Sequence, residues 1–182
     1  FQTAGLTKTA DALPAYDGSA LYLSFFKGHL DLVKCFVEEL EFTREDFICE
    51  DENFIIDVCL SNAQLLRYMV DKQMLIINDF KDDQFTLREL GQPSTSRHVL
   101  KYVFEELGLT AEDARYGQTM QTAALNGNFT CIKYLIENVG LTLEDCNEHL
   151  VLRRMCNKHR NVKLSHIRYL IEKFNLDRQY ID

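Results

Sequence analysis

Residues 132–139 read IKYLIENV, and residues 167–174 read IRYLIEKF. The phrase also stands at 33–40 (VKCFVEEL), 66–73 (LRYMVDKQ) and 100–107 (LKYVFEEL). Aligned on their basic residue, the five copies place Lys34, Arg67, Lys101, Lys133 and Arg168 at intervals of 33, 34, 32 and 35. A near-constant period in this range marks an array of supersecondary units. Within the fourth copy Ile132, Leu135, Ile136 and Val139 recur at i, i+3, i+4 and i+7, so they share one face of a helix. Val33, Phe36, Val37 and Leu40 form the same stripe in the first.

A second apolar segment precedes each copy: SALYLSFF at 19–26, NFIIDVCL at 53–60, FTLREL at 85–90, MQTAALNG at 120–127 and HLVLRRMC at 149–156. Gly28 and Gly127 fall at two of the turns between segments, where a glycine supplies the positive φ that ends a helix. The unit is therefore helix, tight turn, helix, connector. A hairpin this short cannot bury both faces alone, so the units are expected to stack.

The connectors repeat as well: EFTREDF at 41–47, GLTAEDA at 108–114 and GLTLEDC at 140–146. Thr43, Thr110 and Thr142 each precede an aspartate (Asp46, Asp113, Asp145) by three residues. This is the spacing of a capping box and predicts a short helical turn starting at each threonine. GLTKTAD at 5–11 has a similar form and reads as the tail of an earlier unit.

These phrases resemble the ankyrin repeat, T-P-L-H-x-A-A-x-x-G-H-x-x-V-V-K-x-L-L. Ser19, Ala20, Leu21 and Tyr22 fall on T-P-L-H, and Gly28, His29, Val33 and Lys34 on G-H and V-K. The fourth unit matches at Ala123, Ala124, Asn126, Gly127, Ile132, Lys133 and Leu135. The connectors resemble those of a divergent subtype familiar from amoebae, their large viruses and intracellular bacteria. The likeness covers about residues 17 to 182. It is weaker in the second unit, with Ser61 for the turn glycine, in the third, with GQPSTSR and Pro93, and in the fifth, with the extended turn NKHRNVKL.

The resemblance implies an all-α, ankyrin-like helical solenoid of about five repeats, forming one domain over residues 1–182. Residues 1–16 would be the tail of an earlier repeat or a cap. The repeats would run approximately 17–49, 50–83, 84–114, 115–147 and 148–182. It also implies a protein–protein interaction module that binds on its concave face and connector tips, as the recognition domain of a larger host-directed effector or viral factor.

Carried over position by position, the candidate partner-binding residues are Phe26 and Lys27 before the first turn and Leu125 and Asn126 before the fourth. Tyr22 and Gln121 fall on the histidine of T-P-L-H, where side chains are often structural. Tyr116 and Gln118 lie in the connector entering the fourth repeat. Phe26 is either an anchor for a partner or a packing variant. His29 is implied to tie turns together by hydrogen bonds.

The net charge is −8, but residues 151–182 carry eight Lys/Arg against three acids. The acidic remainder repels phosphate and argues against general nucleic-acid binding. The basic end, with Arg153, Arg154 and Lys158, supports an alternative reading: a binder of an anionic ligand such as an acidic peptide, inositol phosphate or RNA. It also suggests contact with a flanking domain in the same chain. An enzyme with an unrecognised site is a third reading. The sequence holds no G-x-G-x-x-G, P-loop or H-E-x-x-H motif, no catalytic residue is assigned, and any catalysis is expected to belong to a flanking domain.

Cys146, His149, Cys156 and His159 offer four zinc-type ligands. A helix over 149–156 would hold His149 and Cys156 about 10 Å apart along its axis at ~1.5 Å per residue. Ligands of one zinc lie within roughly 4 Å of one another. No metal and no cofactor are therefore expected. The six cysteines, at 35, 49, 59, 131, 146 and 156, form no compact framework and read as buried free thiols in a reducing, intracellular compartment, cytoplasmic and of a host cell if the effector reading holds. No apolar run approaches the ~20 residues of a membrane span. The opening FQTAGLTKTA lacks an initiator Met and the regions of a signal peptide, so a processed or excised segment is expected.

Overall fold

A computed structural model describes residues 20–47, 52–142, 144–146, 152, 153, 155 and 162–176. Every regular element among them is helical. The chain divides into two compact units, Phe1–Ile76 and Ile77–Asp182.

In the first unit α1 (Ala20–Phe26) pairs with α2 (Leu30–Lys34), which runs on through a π-helical turn, Cys35–Glu39. A short α3 (Arg44–Phe47) follows, then α4 (Glu52–Ser61) and α5 (Ala63–Asp71). The second unit opens with α6 (Ile77–Lys81) and α7 (Gln84–Glu89). Next come α8 (Arg97–Lys101), extended by a π turn over Tyr102–Glu106, α9 (Ala111–Tyr116) and α10 (Thr119–Asn126). Then α11 (Phe129–Tyr134), extended over Leu135–Val139, a 3-10 turn at Glu144–Cys146, and α12 (Leu164–Phe174) complete it. The anchor phrases are thus α2, α5, α8, α11 and α12.

Most of the predicted stripe is buried, with Val37, Leu40 and Val139 half-buried. Val33, Leu65, Leu66, Met69, Val99, Leu100, Ile132 and Leu135 are 0% exposed, and Ile136 is 6% exposed. The N-cap of each anchor helix stands five residues before its basic residue. Asn62, Ser96 and Asn128 cap those starts by accepting backbone N–H bonds, which satisfies donors the helix leaves open. His29 occupies the same position, but it is exposed and its imidazole makes no capping bond; the implied histidine tie is not what holds this turn.

Four of the five anchor helices also end alike, while α12 closes with a five-residue bond from the Leu176 N–H to the Ile171 carbonyl. The N–H of Phe42, Leu75, Leu109 and Leu141 reaches back to the carbonyl of Phe36, Met69, Val103 and Leu135, six residues earlier in each case. A left-handed residue stands just before three of these donors: Glu41 (φ 53°), Gly108 (φ 81°) and Gly140 (φ 81°). This is a Schellman-like closure widened by one residue, and the donor side chain is buried, as that motif favours. The π turns recur in three of the five anchor helices, starting one or two residues past the basic residue, so they are not peculiar to one site. Gly28 (φ 68°) and Gly127 (φ 67°) turn the chain between paired helices as expected. In the second repeat, Asn62 alone joins α4 to α5. In the third, Pro93 sits outside any helix, in a turn where the hydroxyl of buried Thr95 donates to the Glu89 carbonyl at 3.1 Å.

The aspartate half of the box forms at all three connectors, and at Thr110 the hydroxyl also accepts from the Asp113 N–H at 3.3 Å, completing the box. The N–H groups of Thr43, Thr110 and Thr142 donate to Oδ2 of Asp46, Asp113 and Asp145 at 2.6, 2.7 and 2.7 Å. Lys81 reaches Asp113 at 3.9 Å, and Arg115 Nε donates to Asp145 Oδ1 at 2.6 Å, so the aspartates of the last two connectors are each bridged from the connector before.

The seams between anchor helices repeat a polar pattern. Within the first unit Tyr68 Oη donates to Glu38 Oε1 at 3.1 Å. Within the second, Tyr134 donates to Glu105 at 3.1 Å and Tyr169 to Glu137 at 3.0 Å. The tyrosine follows the basic residue of one copy, and the glutamate stands four after the basic residue of the copy before. Lys34 and Lys133 also lie over the rings of Tyr68 and Tyr169, at 5.7 and 5.4 Å. The K-Y-x-x-E lettering of the phrase is thus the polar edge of the seam, beside the apolar stripe.

Candidate functional site

In α1 the buried residues are Leu21, Ser24 and Phe25, spaced i, i+3 and i+4. That geometry turns Tyr22 and Phe26, one turn apart, away from the core. Phe26 is 57% exposed, and Tyr22 stacks on it with ring centroids 6.1 Å apart and planes 8° from parallel. The Lys27 ammonium stands 5.2 Å from the Phe26 ring centre, so the ring carries a cation at its edge of the turn. Leu23, which sequence reasoning passed over, is 45% exposed on the same helix.

In α10 Thr119, Met120, Thr122, Ala123 and Ala124 are buried. Leu125, at the repeat position of Phe26, is 44% exposed. Asn126 is half-buried and committed to the fold, donating to Gln92 Oε1 at 3.0 Å. Gln121 is half-buried, and Gln118 is exposed in the left-handed region (φ 52°). Tyr116 is 55% exposed, and its carbonyl accepts from Gln84 Nε2 at 2.8 Å. Beside Gln84, Phe85 is 44% exposed; no sequence signal pointed to it, because its repeat position is not one the ankyrin phrase marks. Arg153 is exposed, while Arg154 and Lys158 lie outside the described residues.

The ionisable groups near these surfaces are held in structural bonds. Bonds from Lys72 and Tyr68 lower the Glu38 carboxyl below its usual range. Burial pulls Asp145 upward, but its Arg115 and Thr142 bonds outweigh that and hold it low. Burial and the paired glutamate push Tyr68, Tyr134 and Tyr169 up to about 12. In the acidic connector KDDQ at 81–84, Asp83 caps α7, accepting from the N–H groups of Phe85 and Thr86 at 3.0 and 2.9 Å, so its carboxylate is used by the fold. Cys59 and Cys131 are free and fully buried, and burial raises both thiols. Free Cys35 is half-buried and also raised, by burial first and then by Glu39. Among the described residues no three His, Cys, Asp or Glu gather in a way that could hold a metal ion. Of the zinc-type set, His149, Cys156 and His159 lie outside those residues. No helix among the described residues is long and apolar enough to cross a membrane.

No family model, no curated protein and no solved structure matches this chain.

Proposed function

We propose that the chain is an ankyrin-like repeat module whose work is protein–protein recognition. One observation carries the reading. Phe26 and Leu125, at the same position of two repeats, are large apolar side chains left 57% and 44% exposed, each just before a glycine turn, while the apolar stripes of their own helices are sealed. Apolar and aromatic anchors dominate interface energetics, at about 2 kcal/mol or more each when buried by a partner. Tyr116 and Phe85 extend the exposed apolar set in the second unit. The setting suggested by the connector resemblance is the recognition domain of a host-directed effector or viral factor.

The test is a partner screen followed by a matched pair of variants. Phe26→Ser and Leu125→Ser, made separately because the residues lie in different units, should each leave the protein folded, and at least one should lower the affinity for a captured protein at least tenfold. Retention of that protein by both variants would remove Phe26 and Leu125 from the proposed binding role. The anionic-ligand reading instead requires binding that falls steeply with salt and depends on Arg153.

A further inference from the structure

The seam between α11 and α12 holds a histidine at a position that is apolar in α5, α8 and α11. Two positions before the basic residue, α5, α8 and α11 carry Leu65, Val99 and Cys131, all 0% exposed. At that position α12 carries His166. Its imidazole lies flat on the Phe129 ring of α11, with centroids 4.0 Å apart and planes 3° from parallel. Tyr169, one turn on, meets the same ring edge-on at 5.5 Å. The imidazole is also a cap: the N–H of Lys163 donates to His166 Nδ1 at 3.3 Å, at the start of α12. One neutral, half-buried ring thus joins helix start to seam.

We infer that His166 makes the docking of α12 on α11 sensitive to pH, so that acidification loosens the last repeat ahead of the rest of its unit. The bond to Nδ1 exists only while that nitrogen is unprotonated, since a protonated imidazole has no acceptor. On protonation two N–H groups face each other at the cap, beside the Lys163 ammonium. On its own element the charged groups are Lys163 at the N-cap, Arg168 two residues past His166, and Glu172 and Lys173 in the last turns. Across the seam α11 presents Lys133, which lies over Tyr169 and 3.9 Å from Glu137. Glu137 accepts the Tyr169 hydroxyl and so is already engaged. The Phe129 face attracts a cation, which opposes the effect, but it replaces neither the lost acceptor nor the lost solvation. Burial, followed by Lys163, lowers the His166 value below its usual one. A histidine lowered in the folded state adds stability that is present above its unfolded value, about 6.5. That stability is lost as pH falls through the lower, folded value.

Hydrogen–deuterium exchange on the full chain, corrected for intrinsic rates, tests this at about pH 7.5 and about pH 5. Protection over 164–174 should fall at least about threefold relative to α10, and His166→Leu, which restores the residue class of the other seams, should abolish that fall. The same fall in the variant, or none in the parent, overturns the inference. Should the variant not fold, a proton NMR titration of the parent decides. His166 should titrate below about 6.5, with its contacts to Phe129 lost at the same midpoint; a value at or above that overturns the proposal.

Discussion

Gly117→Ala is a substitution of one methyl group that should cost about 3 kcal/mol, far more than its conformation suggests. Gly117 closes α9 at φ −73° and ψ −6°, angles open to any residue. The constraint comes from a neighbour 30 residues away. A Cβ on Gly117 would overlap Leu87 Cβ and lie 2.9 Å from the Leu87 carbonyl carbon and 3.1 Å from its Cα. Two of those atoms are backbone, so no rotamer change relieves the contact. Moving the carbonyl carbon out to 3.4 Å, the start of ordinary contact, requires a shift of at least half an ångström across this seam. The Thr119 hydroxyl donates to the Leu87 carbonyl at 2.7 Å in the same place, and that bond would stretch. Overpacking of this kind costs roughly 1–3 kcal/mol, and a strained or lost hydrogen bond adds about 1 kcal/mol.

The control is Gly108→Ala. Gly108 has φ +81°, but a methyl group added there would meet no atom within 4 Å, so its cost is conformational alone, about 1–2 kcal/mol. Urea unfolding followed by far-ultraviolet circular dichroism compares the two against the parent. Gly117→Ala should be the more damaging. If it unfolds within about 0.5 kcal/mol of the parent, or if Gly108→Ala costs as much, the close approach of α9 to α7 is not what requires glycine.

Tyr134→Phe removes one seam hydrogen bond to Glu105 and should cost about 1 kcal/mol in the same unfolding assay. Three of the eight tyrosines, Tyr68, Tyr134 and Tyr169, should ionise late, near 12, in a phenolate absorbance titration. Their raised values place the seam contribution fully below about pH 10 and remove it as pH climbs towards 12. Asp145 is lowered in the fold, so its contribution is present above about pH 4 and lost as pH falls through the folded value; Asp145→Asn should flatten that limb of a stability–pH curve. Cys59 and Cys131 should react with a thiol reagent only after denaturant is added, because burial both shields them and disfavours the thiolate.

Features set by neighbours in the chain were legible in the sequence. Thr110 and Asp113 are three apart, so their box could be read before any coordinates; Gly127 could be assigned a positive φ because a helix stripe stops there. The burial of Leu135 and Ile136 followed from periodicity. What escaped was set by residues about one repeat away. Gly91 and Gly117 carry ordinary angles or no turn signal, and their reason lies in the backbone of Thr119 and Ala123 for one and of Leu87 for the other. The Tyr–Glu bonds escaped although every letter of K-Y-x-x-E was in view, because the phrase places both residues on one helix while the bond joins successive helices. At the candidate site, Phe26 and Leu125 were found by repeat position. Asn126 was chosen by the same rule, yet it serves the Gln92 contact.

Within each unit, the polar edge of the seam accounts for how unequal repeats keep their register. Apolar faces alone tolerate sliding, since Leu, Val and Cys at a seam are interchangeable over short displacements. A phenol donating to one carboxylate oxygen is directional and has no equivalent partner one residue along the helix. The intervals between basic residues vary from 32 to 35, so the connectors absorb the differences in length. The Tyr–Glu pair and the six-residue closing bond keep their positions relative to the basic residue wherever both are seen. Residues that hold register therefore cannot also be free to change with a partner. The position of Phe26 and Leu125 takes part in neither of these two devices.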